Sequence, residues 1–185
     1  LSAGDSLTLY DLICGLLLQS GNDCAAAIAE HISGSQEAFA ELMNTEAKQL
    51  GATGTHFVNP HGLHDENHYT TTYDLYLMFN EALKDQAFLD IISMNSYTAK
   101  VTSADGTSYT PTWQATNYYS AGEATPPDGI HVYGGKTGTT DQAGNCVILY
   151  EKNTAGEPYI SVIMGASDKP LLYEEMNELL DAGMK

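Results

Sequence analysis

The chain has 185 residues, enough for one domain with a sizeable core, and its 43% hydrophobic content argues against disorder. Seven lysines, no arginine and 24 acidic side chains give a formal charge of −17, a field that repels phosphate backbones and excludes nucleic acid as a partner. The longest apolar stretch, Leu12 to Leu18, is too short to span a bilayer, and Leu1 to Tyr10 lacks the basic start and apolar run of a signal peptide, so any export signal or anchor is expected outside these residues.

In chain order, the first half reads helical. Leu9, Leu12, Ile13, Leu16 and Leu17 recur at helical spacing over Thr8 to Gln19, and Ser20-Gly21 ends that run. A second helix is expected after Asn22 and Asp23, both good caps, through Ala25 to Ile32. Ser35 can cap a third, with Phe39, Leu42, Met43, Ala47 and Leu50 on its inner face and Gly51 as a left-handed stop. Thr53 to Tyr69, rich in Gly, Pro, Asn and His, reads as a long ordered loop. A fourth helix follows, with Thr71 and Asp74 as a capping pair and Leu75, Met78, Phe79 and Ala82 inward.

From Ser96 the period changes to alternation. Tyr97 to Thr102 and Ser108 to Trp113 flank an Asp105-Gly106 turn and read as a hairpin, and Tyr118 to Gly129 reads as a loop. Three strands, about Val132 to Thr139, Cys146 to Lys152 and Tyr159 to Met164, have the short connections of an antiparallel meander. Pro170 then opens a last helix with Leu172, Met176, Leu179 and Leu180 inward. The expected organisation is a single α/β domain of the α+β type: a mainly helical region over 1–94, a sheet region over 95–169, and a helix over 170–183 packed on the sheet. Cys14, Cys24 and Cys146 have neither disulfide nor zinc-ribbon spacing and read as small buried hydrophobes. His56, His61, His64 and His68, with Asp65 and Glu66, match no zinc motif and read as hydrogen-bonded loop residues; no metal or other cofactor is expected. Trp113, Tyr118 and Tyr119 could line a peptide groove, but buried aromatic packing accounts for them more simply.

Two short motifs carry chemistry. Ser20-Gly21-Asn22 lies between helices, and Lys136-Thr137-Gly138 lies on a strand edge. Alone, the first resembles many interhelical turns, and the second offers a cation, a hydroxyl and close backbone approach to an anion. In this order they suit acyl transfer, which needs oxyanion donors, an amide that orients the substrate and a cation near its carboxylate. The chemistry also needs a serine nucleophile in a Ser-x-x-Lys box. The residues three before the seven lysines are Thr45, Glu81, Tyr97, Tyr133, Leu149, Ala166 and Ala182, and none is serine.

Three segments, Leu16 to Asp23, Phe57-Val58-Asn59-Pro60-His61-Gly62-Leu63 and Gly135 to Thr140, closely resemble the low-molecular-mass penicillin-binding proteins that are serine D-alanyl-D-alanine carboxypeptidases (peptidase S11-like). The resemblance runs to Leu179-Leu180-Asp181-Ala182-Gly183. It implies a beta-lactamase/transpeptidase-like fold, an antiparallel sheet flanked by helices beside a helical region, with the N-terminal part absent. It implies that Ser20 relays protons toward Lys136, that Asn22 holds a substrate amide, and that Lys136 supplies positive potential. Thr137 and Gly138 would meet the substrate carboxylate, and the Thr139 backbone N–H would be one oxyanion donor. Relatives often grip that carboxylate with an arginine beyond the last strand, where this chain offers Lys169, a point charge without a bidentate fork.

The resemblance thus implies removal of the terminal D-alanine of peptidoglycan stem peptides through an acyl-enzyme, inhibition by beta-lactam antibiotics, and an extracytoplasmic location, secreted or membrane-anchored at the cell wall. Without Ser-x-x-Lys the chain is expected to begin after its nucleophile, to be inactive alone, and to need the upstream segment of the same domain. An exposed sheet edge and apolar surface are expected unless that segment covers them. The alternatives are a non-catalytic remnant that binds wall peptides or a partner and, lower still, a class A beta-lactamase, for which no convincing Glu-x-x-x-Asn type loop is present.

Overall fold

A computed structural model describes residues 1–183. Five helices come first: α1 (Leu9–Gln19), α2 (Asn22–Ser33), α3 (Gln36–Gln49), α4 (Thr72–Ala82) and α5 (Gln86–Ile92). A broken hairpin follows as β1 (Ser96–Thr98), β2 (Val101–Thr102), β3 (Ser108–Tyr109) and β4 (Thr112–Gln114). A one-turn helix α6 (Tyr118–Ala121) leads into β5 (Ile130–Thr140), β6 (Gly144–Asn153) and β7 (Pro158–Ala166), and α7 (Lys169–Gly183) ends the described chain. The three long strands form an antiparallel meander in the order β5-β6-β7, as the alternation implies.

Alternation along β6 sorts the core into two layers. Val147 and Leu149 face α7, where they pack with Leu172, Tyr173, Met176 and Leu180. Ile148 faces the other way and meets Phe79 of α4 and Ile92 of α5. In α7 the inward set differs from expectation at one position: Tyr173 is buried and Leu179 is 41% exposed. Tyr173 earns its place by stacking on Tyr118, with ring centroids 4.5 Å apart, while its hydroxyl accepts from the Tyr118 N–H. Tyr119 donates to Asn177, and Trp113 stacks on Tyr97, so all three candidate groove aromatics are packing residues.

Helix starts follow local chemistry. Thr8 and Asp11 form a full capping box at α1, and Ser35, Thr71 and Asp85 cap α3, α4 and α5. In α2 the cap is Gly21, so Asn22 and Asp23 occupy the first turn instead of capping it. The seven-residue α5 is too short to show periodicity, and α6 replaces part of the expected loop. The expected hairpin forms, with Tyr97 opposite Trp113 and Thr102 opposite Ser108, but Pro111 has no N–H to donate and the ladder splits into two short pieces beside it.

The expected apolar face of α3 is largely uncovered. Ala47 is buried, but Leu42 is 47% exposed, and Phe39, Met43 and Leu50 join Met78 and Ala82 of α4 around an open apolar groove of about 530 Å³. A second hollow lies over the sheet between Leu75 and Val162, Ile163 and Met164 of the edge strand β7. Exposed apolar surface beside a sheet edge is what the sequence reading anticipates. Leu9 is also exposed, at 43%, because Leu12, Cys14 and Leu18 take the inner face of α1. Cys14 and Cys24 are buried and Cys146 is half-buried, all three as free thiols. No helix among the described residues is long and apolar enough to cross a membrane.

The 53–71 loop is anchored by buried polar side chains. Asn44 of α3 clamps the Phe57 backbone with two 2.7 Å hydrogen bonds, its amide donating to the carbonyl and its oxygen accepting from the N–H. Asp74 of α4 accepts from Thr55 at 2.7 Å. Asn44→Ala leaves both Phe57 groups unpaired and is expected to cost about 2 kcal/mol. Urea unfolding should show the lower midpoint together with faster Phe57 amide exchange, and an unchanged midpoint would remove the clamp from the account.

Candidate active site

The first motif is presented by a strained turn. Ser20 closes α1 in the left-handed conformation, at φ 56°, the one non-glycine residue with positive φ among those described. The Gly21 N–H reaches back to Gly15 O at 3.1 Å, closing the helix end. A left-handed serine costs roughly 1–2 kcal/mol, the kind of strain that packed surroundings hold in place at functional turns. The turn leaves Ser20 half-buried and puts Asn22 at the exposed start of α2.

The second motif sits on β5, an edge strand whose alternate backbone N–H groups point away from β6. Two glycines seat it. A Cβ on Gly134 would lie 1.9 Å from Ile92 O of α5, and one on Gly135 would lie 2.0 Å from Ile148 O across the sheet. This close approach on both sides fixes the depth of the next residue, Lys136.

Lys136 Nζ donates to Ser20 Oγ and, at 2.7 Å, to the Thr137 carbonyl. Burial lowers its pKa from 10.5 to about 8. The two motifs, 116 residues apart in sequence, are therefore joined by a hydrogen bond from a cation of reduced hydration.

One cavity of about 460 Å³ is lined by Ser20, Asn22, Lys136, Thr137, Gly138, Thr139 and Lys169, so the fold gathers every residue singled out from the sequence. Lys169 is exposed at the start of α7, with its ammonium 5.6 Å from the centre of the Tyr118 ring, a cation–π contact. Five further liners escape the motif reading: His61, Gly62 and Leu63 from the long loop, Thr140 at the end of β5, and Thr116. The loop residues carried a signal, since they belong to a segment of the resemblance; Thr116 had none. The larger apolar groove between α3 and α4 lacks such a convergence of polar groups.

Three of the four loop histidines bond within their own loop. The His68 and His61 rings accept from the Val58 and Leu63 N–H groups, and His56 Nδ1 lies 2.5 Å from Asn67 O. Burial lowers the His68 pKa. Among the described residues no three His, Cys, Asp or Glu side chains converge on a point.

A helix-flanked antiparallel sheet with a lysine-serine pair at its edge strand is the arrangement of the beta-lactamase/transpeptidase-like fold. The structure superimposes on the Streptomyces K15 DD-transpeptidase with a TM-score of 0.89 at 28% identity, covering 100% of this chain and 70% of that one. With the D-alanyl-D-alanine carboxypeptidase of Mycobacterium tuberculosis the TM-score is 0.80 at 27% identity, covering 96% and 64%. The family model for peptidase S11, D-alanyl-D-alanine carboxypeptidase, matches residues 1–168, and the chain belongs to that family. Relatives include the D-alanyl-D-alanine carboxypeptidase DacF of Bacillus subtilis, 31% identical over 98% of this chain and 44% of its own length. DacC of Escherichia coli is 31% identical over 100% of this chain and 43% of its own length. The chain thus spans less than half the length of these two relatives.

Proposed function

We propose that this chain supplies the Ser-x-Asn and Lys-Thr-Gly side of a serine D-alanyl-D-alanine carboxypeptidase, and that it reacts only when an upstream segment of the same domain brings a Ser-x-x-Lys box to the cavity. The observation that carries this reading is the hydrogen bond from Lys136 to Ser20 at the head of a cavity holding both motifs. The absence of any serine three residues before a lysine supports the second half.

The geometry supports the following chemistry. Ser20 Oγ accepts from Lys136, which leaves its own proton free to pass to a leaving amide nitrogen. Asn22, exposed on the cavity rim, would orient the substrate amide, while Thr137 and Gly138 would meet the terminal carboxylate under the field of Lys136 and Lys169. The incoming serine, its proton taken by the lysine of its own box, would attack the penultimate D-alanine carbonyl, the oxyanion held by the Thr139 N–H and the serine's own N–H. D-alanine would leave as the amine, and water would then hydrolyse the ester. The substrate on this reading is the peptidoglycan stem peptide, the inhibitors are beta-lactams, and the place of action is extracytoplasmic, at the cell wall.

Fluorescent penicillin tests both halves. The chain alone should stay unlabelled, and mixing or joining it with the upstream Ser-x-x-Lys segment should produce a covalent band. Labelling of the chain alone would refute the need for that segment. No labelling after a folded reconstitution would favour a non-catalytic protein that binds wall peptides.

A further inference from the structure

A residue outside both motifs touches the Thr137 hydroxyl. The segment after β4 runs past the end of α1, where the Thr116 N–H donates to Leu18 O at 3.2 Å. Its side chain reaches β5, placing Thr116 Oγ1 2.7 Å from Thr137 Oγ1. Both residues are half-buried and both line the 460 Å³ cavity. Each hydroxyl carries one proton, so only one of the pair donates to the other. If Thr137 donated, it would turn lone pairs toward the cavity and repel an anion. If Thr116 donates, the Thr137 proton is free to point into the cavity, and the two O–H bonds run in series, each polarising the next.

The cations around the cavity make that direction matter. Lys136 Nζ is engaged by Ser20 and the Thr137 carbonyl, and Lys169 Nζ lies over the Tyr118 ring. The chain has no arginine to form a bidentate fork. The third N–H of Lys136 adds a point charge, and an aimed Thr137 hydroxyl adds a donor of fixed direction for a carboxylate.

We propose that Thr116 is a positioning residue: it donates to Thr137, holds the Thr137 proton toward the terminal carboxylate of an acyl-D-alanyl peptide, and so makes the cavity select a free carboxylate over a neutral terminus. This rests on the reading of the Lys136–Thr137 cavity as the substrate site.

The test is an NMR titration of the chain with N-acetyl-D-alanyl-D-alanine and with its C-terminal amide. The unsubstituted chain should prefer the free acid. Thr116→Val should reduce that preference about tenfold, the scale of a hydrogen bond to a charged group, while Thr116→Ser should keep it. A purely structural threonine would weaken both ligands alike, and an unchanged acid-to-amide ratio in Thr116→Val overturns its assigned role. If the unsubstituted chain binds both ligands equally, or neither, the substrate-site reading fails and Thr116 with it, a result visible before any substitution. Should Thr116→Val lose its dispersed amide spectrum, Thr116→Ala carries the same expectation.

Discussion

On the proposed function, Lys136→Ala is expected to cut penicillin acylation by about 10²–10³-fold in the chain combined with a Ser-x-x-Lys segment, because the lysine is the preorganised cation beside the Ser20 hydroxyl. Folding should not suffer in parallel. Burial holds the Lys136 pKa down at about 8 against 10.5 unfolded, so below pH 8 the folded chain keeps a charge that it hydrates poorly. Between about pH 8 and 10.5 the unfolded chain binds more protons at this position than the folded one, and stability from this group rises with pH across that window. Lys136→Ala should lose this rise. Paired acylation rates and urea titrations of the two chains at pH 7 and 10 would check both statements. A variant that acylated normally would remove Lys136 from the mechanism.

Glu151→Gln is expected to stabilise the protein at neutral and alkaline pH. Glu151 is 2% exposed; one carboxyl oxygen accepts from Ser161 at 2.6 Å, and the other has no hydrogen-bond partner among the described residues. Burial pushes its pKa up from 4.5 to about 7, with Ser161 opposing the shift. Between those values the folded chain binds more protons than the unfolded one, so this carboxyl's contribution is full below about pH 4.5 and falls away as pH rises through 7. A shift of that size corresponds to about 3 kcal/mol. The quantity to measure is the stability of Glu151→Gln minus that of the unsubstituted chain. It should grow from pH 5 to 8, whereas a difference flat in pH would mean that Glu151 does not titrate there. Taking the difference removes carboxylates of opposite sense, such as Asp11, whose pKa is lowered despite desolvation because Thr8 and Tyr97 donate to it.

The predicted elements that succeeded rest on interactions close in sequence. Thr8, Ser35 and Thr71 cap helices through backbone groups three residues away, and the β5-β6-β7 meander follows from alternation and short turns. The misplacements have a common cause. Leu9, Leu42 and Leu179 are apolar at helical spacing yet exposed, because spacing marks an apolar face without saying what covers it. The hairpin broke at Pro111, where ring chemistry overrides the pattern.

For the site, the order of the motifs and their flanking text were legible from the sequence alone, and so were the family and the lack of a serine three residues before any lysine. Those are properties of residue identity along the chain. The hydrogen bond across 116 residues, the left-handed Ser20, the lowered lysine pKa and the pairing of Thr116 with Thr137 were decided by tertiary structure. Hydroxyl direction and desolvation are set by whatever the fold brings within 3 Å, and neighbours of that kind leave no period in the sequence.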